Sequence, residues 1–297
     1  MAPESARTGQ RRLLLATDLS ARCDRALDRA AILASECSAQ LTVVHAFEPD
    51  VYAMTRDPRP EPSWRRQPNL KRTIAVKQLH QDLGRLDVPF DLVLEEGSPA
   101  DVILRTAGKL AGDLIITGIA RGETFGRYIF GGTVDHLVRS ASIPVLVVKS
   151  RARNPYKDIV VATDFSPASR RAIDAAAEIF PNANIMLLHC YASSSLARSI
   201  SGDLEAGRQI AEDEYKDFIN SDPGSAARLA GLPIFIERGS IDCVVHAYAA
   251  DKSLDLLVIG SQGKNILTRA LIGSTAERAM ASAPTDVLVV TPTAQVS

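Results

Sequence analysis

The sequence lacks a dominant charge: 34 Lys and Arg oppose 35 Asp and Glu in 297 residues, a formal net charge of -1. That removes the electrostatic ground for expecting nucleic acid or an anionic membrane surface as partner. The local basic groups, Trp64-Arg65-Arg66 and Arg151 to Arg153, read as solvated surface or linker. No run approaches the ~20 apolar residues of a membrane helix. The segment MAPESARTGQRR has no apolar stretch before its basic pair, so we expect a disordered tail and not a secretory signal. Cysteine is scarce: Cys23, Cys37, Cys190 and Cys243, none in a CxxC pair or a metal-ligand spacing. Each sits in apolar sequence, so buried free thiols in a reducing cytoplasmic compartment are expected. Catalytic signatures are missing as well. There is no GxSxG elbow and no GK[ST] phosphate loop, and no spacing assembles paired carboxylates or a Ser/His/Asp set.

What remains is ordinary globular composition, 46% apolar and 23% charged. The length suits two domains of about 100–150 residues each. The chain also repeats itself. RLLLATD (12–18) matches DIVVATD (158–164), and QLTVVHAF (40–47) matches NIMLLHCY (184–191). PFDLVLEEGS (89–98) matches LPIFIERGS (232–240), and GDLIITG (112–118) matches LDLLVIG (254–260). PVLVVK (144–149) matches DVLVVT (286–291). Five apolar runs thus recur in one order. The repeats predict two domains, 1–150 and 151–297, with 150–156 as linker.

The runs are short, rich in Val, Ile and Leu, and without polar alternation, as parallel strands covered on both faces are. Helical patterns lie between them. Ser166 can cap a helix that Pro167 opens, with Ala168, Ala172, Ala175, Ala176 and Ile179 as its apolar stripe and Pro181 as its stop. Ser20 is expected to cap the equivalent helix, whose stripe is Ala26, Ala30, Leu33 and Ala34. Further helices are expected near 64–86, 99–110, 132–141, 203–221, 241–252 and 274–282. Strands alternating with helices give an α/β fold: two open five-stranded parallel sheets with right-handed crossovers. Ligands of such sheets sit beyond the carboxyl ends of the strands, where strand order reverses. Residues 48–63 and 193–203 read as long loops after strands and could cover such a site.

The strand LDLLVIG is followed by SQGKNILTRALIGST, which puts Gly260, Gly263 and Gly273 in the spacing G-x2-G-x9-G-[ST] with Ser274. Glycine lets backbone turn sharply and approach a ligand closely, and loop N–H groups can converge on phosphate oxygens. Gly273-Ser274-Thr275 opens a helix, whose free N–H groups and positive dipole end suit phosphate. The competing reading is tight turns and a capping serine alone. Lys264 reads as solvated.

These pieces, VATD (161–164), LDLLVIG, the glycine motif and VLVV, resemble the universal stress protein family, over nearly the whole chain and twice. The resemblance implies Rossmann-like domains of the adenine nucleotide alpha hydrolase type, dimeric assembly through the last strand, and bound ATP, ADP or AMP, with or without Mg. It implies that Asp164 contacts the adenosine part, while Gly260, Gly263, Gly273 and Ser274 hold ribose and phosphates; Thr275 adds a hydroxyl. A carboxylate at a strand's carboxyl end also suits ribose hydroxyls directly, and equally suits capping the next helix.

The first repeat departs from the motif. Aligned without gaps, Gly118 matches Gly260, Arg121 takes the place of Gly263, and Gly131-Gly132 that of Gly273-Ser274. A one-residue insertion would instead align Gly122, Gly132 and Thr133. We expect weak or no nucleotide binding there, although Asp18 is retained. His45 and His189 read as packing residues. The functional expectation is an adenine-nucleotide-binding sensor or interaction protein with an unknown protein partner. The alternatives are a slow ATPase or nucleotidyl-transfer enzyme, and a ligand-free structural tandem. The two final strands are expected to pair within the chain as a pseudo-dimer, with a homodimer as a further possibility.

Overall fold

The computed structural model describes residues 10–20, 23–47, 70–84, 88–119, 123–124, 127–128, 130–191, 202–222, 224, 228–229, 231–262 and 273–291. Gly263, Lys264, Arg121, Gly122, Trp64 to Arg66 and most of the two long loops lie outside the described residues. The chain forms two compact units, residues 1–118 with 151–153, and residues 119–150 with 154–297.

The first unit contains β1 (Arg12–Ala16), α1 (Asp24–Glu36), β2 (Gln40–Phe47), α2 (Leu70–Leu83), β3 (Phe90–Glu96), α3 (Pro99–Lys109) and β4 (Leu114–Gly118). Its strands run parallel in the order β3-β2-β1-β4, with Arg12 opposite Gln40 and Ala16 opposite Val44. Leu13, Leu14 and Leu15 are all buried, so consecutive residues, which point to opposite faces, are covered on both. Each fully buried Leu contributes about 1.5–3 kcal/mol. Ala26, Ala30, Leu33 and Ala34 form the inner stripe of α1.

The second unit opens with a short hairpin, β5 (Glu123–Thr124) and β6 (Arg127–Tyr128), that no sequence period announces. Then come α4 (Gly132–Ser140), β7 (Val145–Val148), β8 (Asp158–Thr163), α5 (Pro167–Ile179), β9 (Asn184–Tyr191) and α6 (Gly202–Asn220). The unit ends with β10 (Ile234–Arg238), α7 (Ile241–Asp251), β11 (Leu256–Gly260), α8 (Ser274–Ser282) and β12 (Asp286–Val290). Five parallel strands run in the order β10-β9-β8-β11-β12, and β7 joins β12 antiparallel, Leu146 opposite Leu288. The last strands of the two repeats therefore pair with each other.

Ser166 caps α5 as its sequence suggests: its side-chain oxygen accepts from the Ser169 N–H at 3.2 Å, and Pro167 occupies the first turn. The helix stops before Pro181. Ser20 does not act likewise. Helix α1 begins at Asp24 with no side-chain cap, and the Ser20 Oγ is buried with no hydrogen-bond partner, among the described residues. The first repeat reads Ala21-Arg22-Cys23 where the second has Pro167-Ala168-Ser169. Without a proline to preset φ the helix starts later, leaving Ser20 too far upstream to reach its first amides.

The 150–156 segment is more than a linker. Tyr156 is buried, and its hydroxyl donates to Asp286 at 2.6 Å. Asp286, wholly buried, also accepts from the Lys149 and Ser150 N–H groups, both at 2.8 Å. The buried Lys149 ammonium donates to the carbonyls of Met280 (2.5 Å) and Ala283 (2.9 Å) at the carboxyl end of α8, where a cation is favoured. Burial pulls this lysine down to about 7, against the opposing pull of Asp286. All four cysteines are free thiols, but they are not deeply buried: Cys243 is exposed, on the outer face of α7 opposite Ile241 and Val245. No helix among the described residues is long and apolar enough to cross a membrane.

Candidate functional site

Strand β8 has β9 on one side and β11 on the other. The strand order reverses there, and such a reversal leaves a crevice beyond the carboxyl ends of β8 and β11. A cavity of about 410 Å³ opens at that point. Its walls come from Thr163 at the end of β8, Asp164, Ser169 in the first turn of α5, Gly260 at the end of β11, Gln262, and Gly273, Ser274 and Thr275 at the start of α8. Cys190 and Ile241 close another side. Asp164, Gly260, Gly273, Ser274 and Thr275 thus surround one space; Gly263 lies outside the described residues.

The Asp164 carboxylate is fixed in place. Its Oδ1 accepts from the Ser169 hydroxyl at 2.6 Å and from the Ser166 N–H at 3.1 Å. The Asp164 N–H in turn donates to the Ser169 Oγ at 3.0 Å. The aspartate therefore does brace the start of α5, and it lines the cavity while doing so. Carboxylate oxygens accept up to about four hydrogen bonds, so a ligand hydroxyl can add to those that position the group.

Gly260 is needed for a reason that differs from the one its motif suggests. A Cβ there would lie 3.2 Å from the backbone carbonyl of Ala168 and 3.3 Å from the Ala168 side chain. The missing side chain lets the first turn of α5 press against the end of β11, bringing Asp164 and Gly260 to one crevice. The loop after β11 is clamped at its base, where the Gly273 N–H donates to the Ser261 carbonyl at 2.9 Å. Gly273 is the N-cap of α8 in extended conformation, and no side chain among the described residues caps the helix. Ser274 and Thr275 are exposed in the first turn. The positive end of the α8 dipole faces the cavity with donors for an anion.

His189 is not among the residues that line the cavity. Its Nδ1–H donates to the Thr163 carbonyl at 2.9 Å, and its ring stacks on Phe165 at 4.3 Å. His45 makes the equivalent bond to Thr17 at 2.9 Å. Burial, with Glu237 and Asp242 nearby, pushes the Cys190 thiol up to about 12, so it stays protonated and is no nucleophile. The sequence reading missed Ser169, Cys190, Ile241 and Gln262. The spacing Asp-x-Ser-x-x-Ser from Asp164 to Ser169 was the one signal that could have found Ser169.

The structure also selects one of the two registers for the first repeat. Helix α4 has Gly131 as N-cap and Gly132 first, as α8 has Gly273 and Ser274, and both helices have nine residues. Gly118 ends β4 as Gly260 ends β11. The described ends of the motif therefore follow the ungapped alignment, Gly118 with Gly260 and Gly131 with Gly273, while Arg121 and Gly263 lie outside the described residues.

A sequence model of the universal stress protein family matches residues 10–149 and 155–291. A universal stress protein of Mycolicibacterium smegmatis is 26% identical over 302 residues, covering 94% of this chain and 97% of that relative. A universal stress protein of Archaeoglobus fulgidus shares the fold at 17% identity and a TM-score of 0.63, over 95% of this chain and 97% of that one. Two shorter universal stress proteins, similar to about half of this chain at TM-scores of 0.36 and 0.35, were solved with cAMP and with dAMP respectively. Two matched segments that together span nearly all of the sequence leave one conclusion: the chain belongs to the universal stress protein family, with two of its domains in tandem.

Proposed function

We propose that the second repeat binds one adenine nucleotide, with ATP as the preferred form, and that its occupancy is read by a protein partner in the cytoplasm. The observation that carries this reading is the cavity at the β8–β11 crevice. It joins an anchored carboxylate to an uncapped helix N-terminus, and its volume lies within the range of small-molecule sites. In this reading Asp164 takes the ribose hydroxyls. The phosphates lie against Gly273, Ser274 and Thr275, where N–H groups, hydroxyls and the helix dipole all favour negative charge. Binding and release, not turnover, is the function this donor set supports. Its groups orient a polyphosphate and supply no base for water. The pairing of β7 with β12 supports reading the two repeats as an intrachain counterpart of a dimer.

Calorimetry tests the site. ATP binds with a stoichiometry near one per chain, because Arg121 replaces a motif glycine in the first repeat. Thr275→Glu places a carboxylate in the first turn of α8, which the helix tolerates because acidic residues suit that end. It weakens ATP at least tenfold and leaves adenosine affinity within about twofold, since only the phosphates meet the new charge. Equal losses for ATP and adenosine would move the phosphates elsewhere. Rapid single-turnover release of ADP would replace the sensor reading with the ATPase one.

A further inference from the structure

We infer that Ser169 sets ribose specificity, acting through Asp164 as a positioning residue; this rests on the nucleotide reading above. Ser169 is nearly inaccessible, at 4% exposure, yet it belongs to the cavity wall. Its single hydroxyl serves both parts of the same aspartate. It accepts from the Asp164 N–H and donates to Oδ1, with the Ser166 hydroxyl 3.4 Å away behind it. Main chain and side chain of Asp164 are therefore locked by one atom. The lock acts on a strained turn, because Phe165 lies in the left-handed region at φ 59°. That geometry is fixed from both sides, by the Phe165 N–H donating to the Thr163 hydroxyl at 3.0 Å and by the stack of Phe165 on His189.

A helix cap alone does not call for this arrangement. Ser166 already supplies the cap, and the Ser166 N–H already satisfies Oδ1. The extra bond from Ser169 orients the carboxylate. An oriented carboxylate discriminates a ligand hydroxyl from a hydrogen, whereas one that swings freely follows whichever ligand is present. The first repeat makes the contrast, since Cys23 stands in the place of Ser169 and offers Asp18 only a thiol at 3.1 Å.

The test compares ATP with 2′,3′-dideoxy-ATP by calorimetry on the full chain, for wild type, Ser169→Ala and Ser169→Cys. Wild type favours ATP tenfold or more, the order expected for a charged hydrogen bond to a hydroxyl. Ser169→Ala reduces that preference to about twofold by weakening ATP, while dideoxy-ATP affinity stays unchanged. Ser169→Cys, which carries the side chain found in the first repeat, falls between the two. If Ser169→Ala fails to fold, Ser169→Cys decides alone: a reduced preference supports the role and a wild-type preference overturns it. An unchanged preference in both variants, or equal weakening of both nucleotides, overturns the inference and leaves the nucleotide site standing. Wild type that binds no ATP at all overturns both.

Discussion

After Thr17 and after Thr163 the chain makes the same turn twice, and the two copies differ in what supports it. In both, the residue after the aspartate is forced left-handed, Leu19 at φ 61° and Phe165 at φ 59°. In both, the threonine hydroxyl accepts from that residue's N–H at 3.0 Å. The aspartate then accepts from a serine N–H, 2.9 Å in the first repeat and 3.1 Å in the second. Beyond this the copies part. The second has Ser169 and the cap of Ser166 on a helix opened by Pro167; the first has Cys23 and an unpartnered Ser20 hydroxyl. Burial alone would raise the Asp18 carboxyl, but hydrogen bonds from the Ser20 backbone N–H and the Cys23 thiol outweigh it and hold it below the usual range. Burial pushes the Cys23 thiol up to about 11, so it remains a weak donor. The strained backbone therefore belongs to the fold, since both repeats keep it, and the rigid carboxylate belongs to the second repeat.

The last strands show the larger asymmetry. Where the second repeat has Asp286 and Thr291, the first has Pro144 and Lys149. Asp286→Ala leaves the Lys149 and Ser150 N–H groups and the Tyr156 hydroxyl without their acceptor in a dry interior. We expect a loss of about 3–5 kcal/mol in urea unfolding; a loss below about 1 kcal/mol would mean this cluster does not support the β7–β12 seam. Lys149 adds a pH signature. In the unfolded chain a lysine titrates near 10.4, and in the folded chain Lys149 titrates at about 7. Between those values the unfolded state binds more protons, so stability rises with pH, and the gain is lost as pH falls through about 7. Melting temperature should climb from pH 7 to pH 9 in wild type, and Lys149→Met should flatten the climb. A steeper climb in the variant would refute the assignment.

Gly260→Ala comes next in size. Its Cβ meets the Ala168 backbone, which cannot turn aside as a flexible side chain could. We expect about 1–3 kcal/mol of destabilisation together with weaker ATP binding, because α5 carries Asp164 and Ser169. Gly132, in the first repeat's version of the motif, has open space around a new Cβ. Gly132→Ala should change stability by no more than about 1 kcal/mol, in either direction. Similar losses at the two positions would remove the distinction drawn for Gly260.

What could be read in the sequence follows from how strongly each position restricts composition. Strands β8, β11 and β12 are centred on runs of Val, Ile and Leu because both faces are covered there, so the runs at 158–164, 254–260 and 286–291 announced them. Gly260 was legible because close backbone approach admits few alternatives. Ser169 was not, since a serine in the first turn of a helix passes for an ordinary capping residue until Asp164 is seen against it. Lys149 was read as the end of a strand, because lysine is rarely buried and nothing local marks this one. Its partners, the carbonyls of Met280 and Ala283, lie more than a hundred residues away. The hairpin β5–β6 has two-residue strands, too short for any period to show.

The smallest expected effect is the sharpest comparison of the two repeats. Ser166→Ala removes the N-cap of α5, and the loss of such a cap costs about 1 kcal/mol. That cap is the bond from the Ser169 N–H to the Ser166 hydroxyl. Ser20→Ala removes a hydroxyl that has no partner among the described residues, and deleting a buried unsatisfied group is neutral or slightly stabilising. Two serines at matching places after matching strands should therefore respond in opposite senses, a drop of a few degrees in melting temperature for Ser166→Ala and no drop for Ser20→Ala. Equal drops would mean that Ser20 also caps its helix in solution and that the two turns are supported alike. The late start of α1 at Asp24 argues against that, since a cap at Ser20 would require the helix to begin at Ala21.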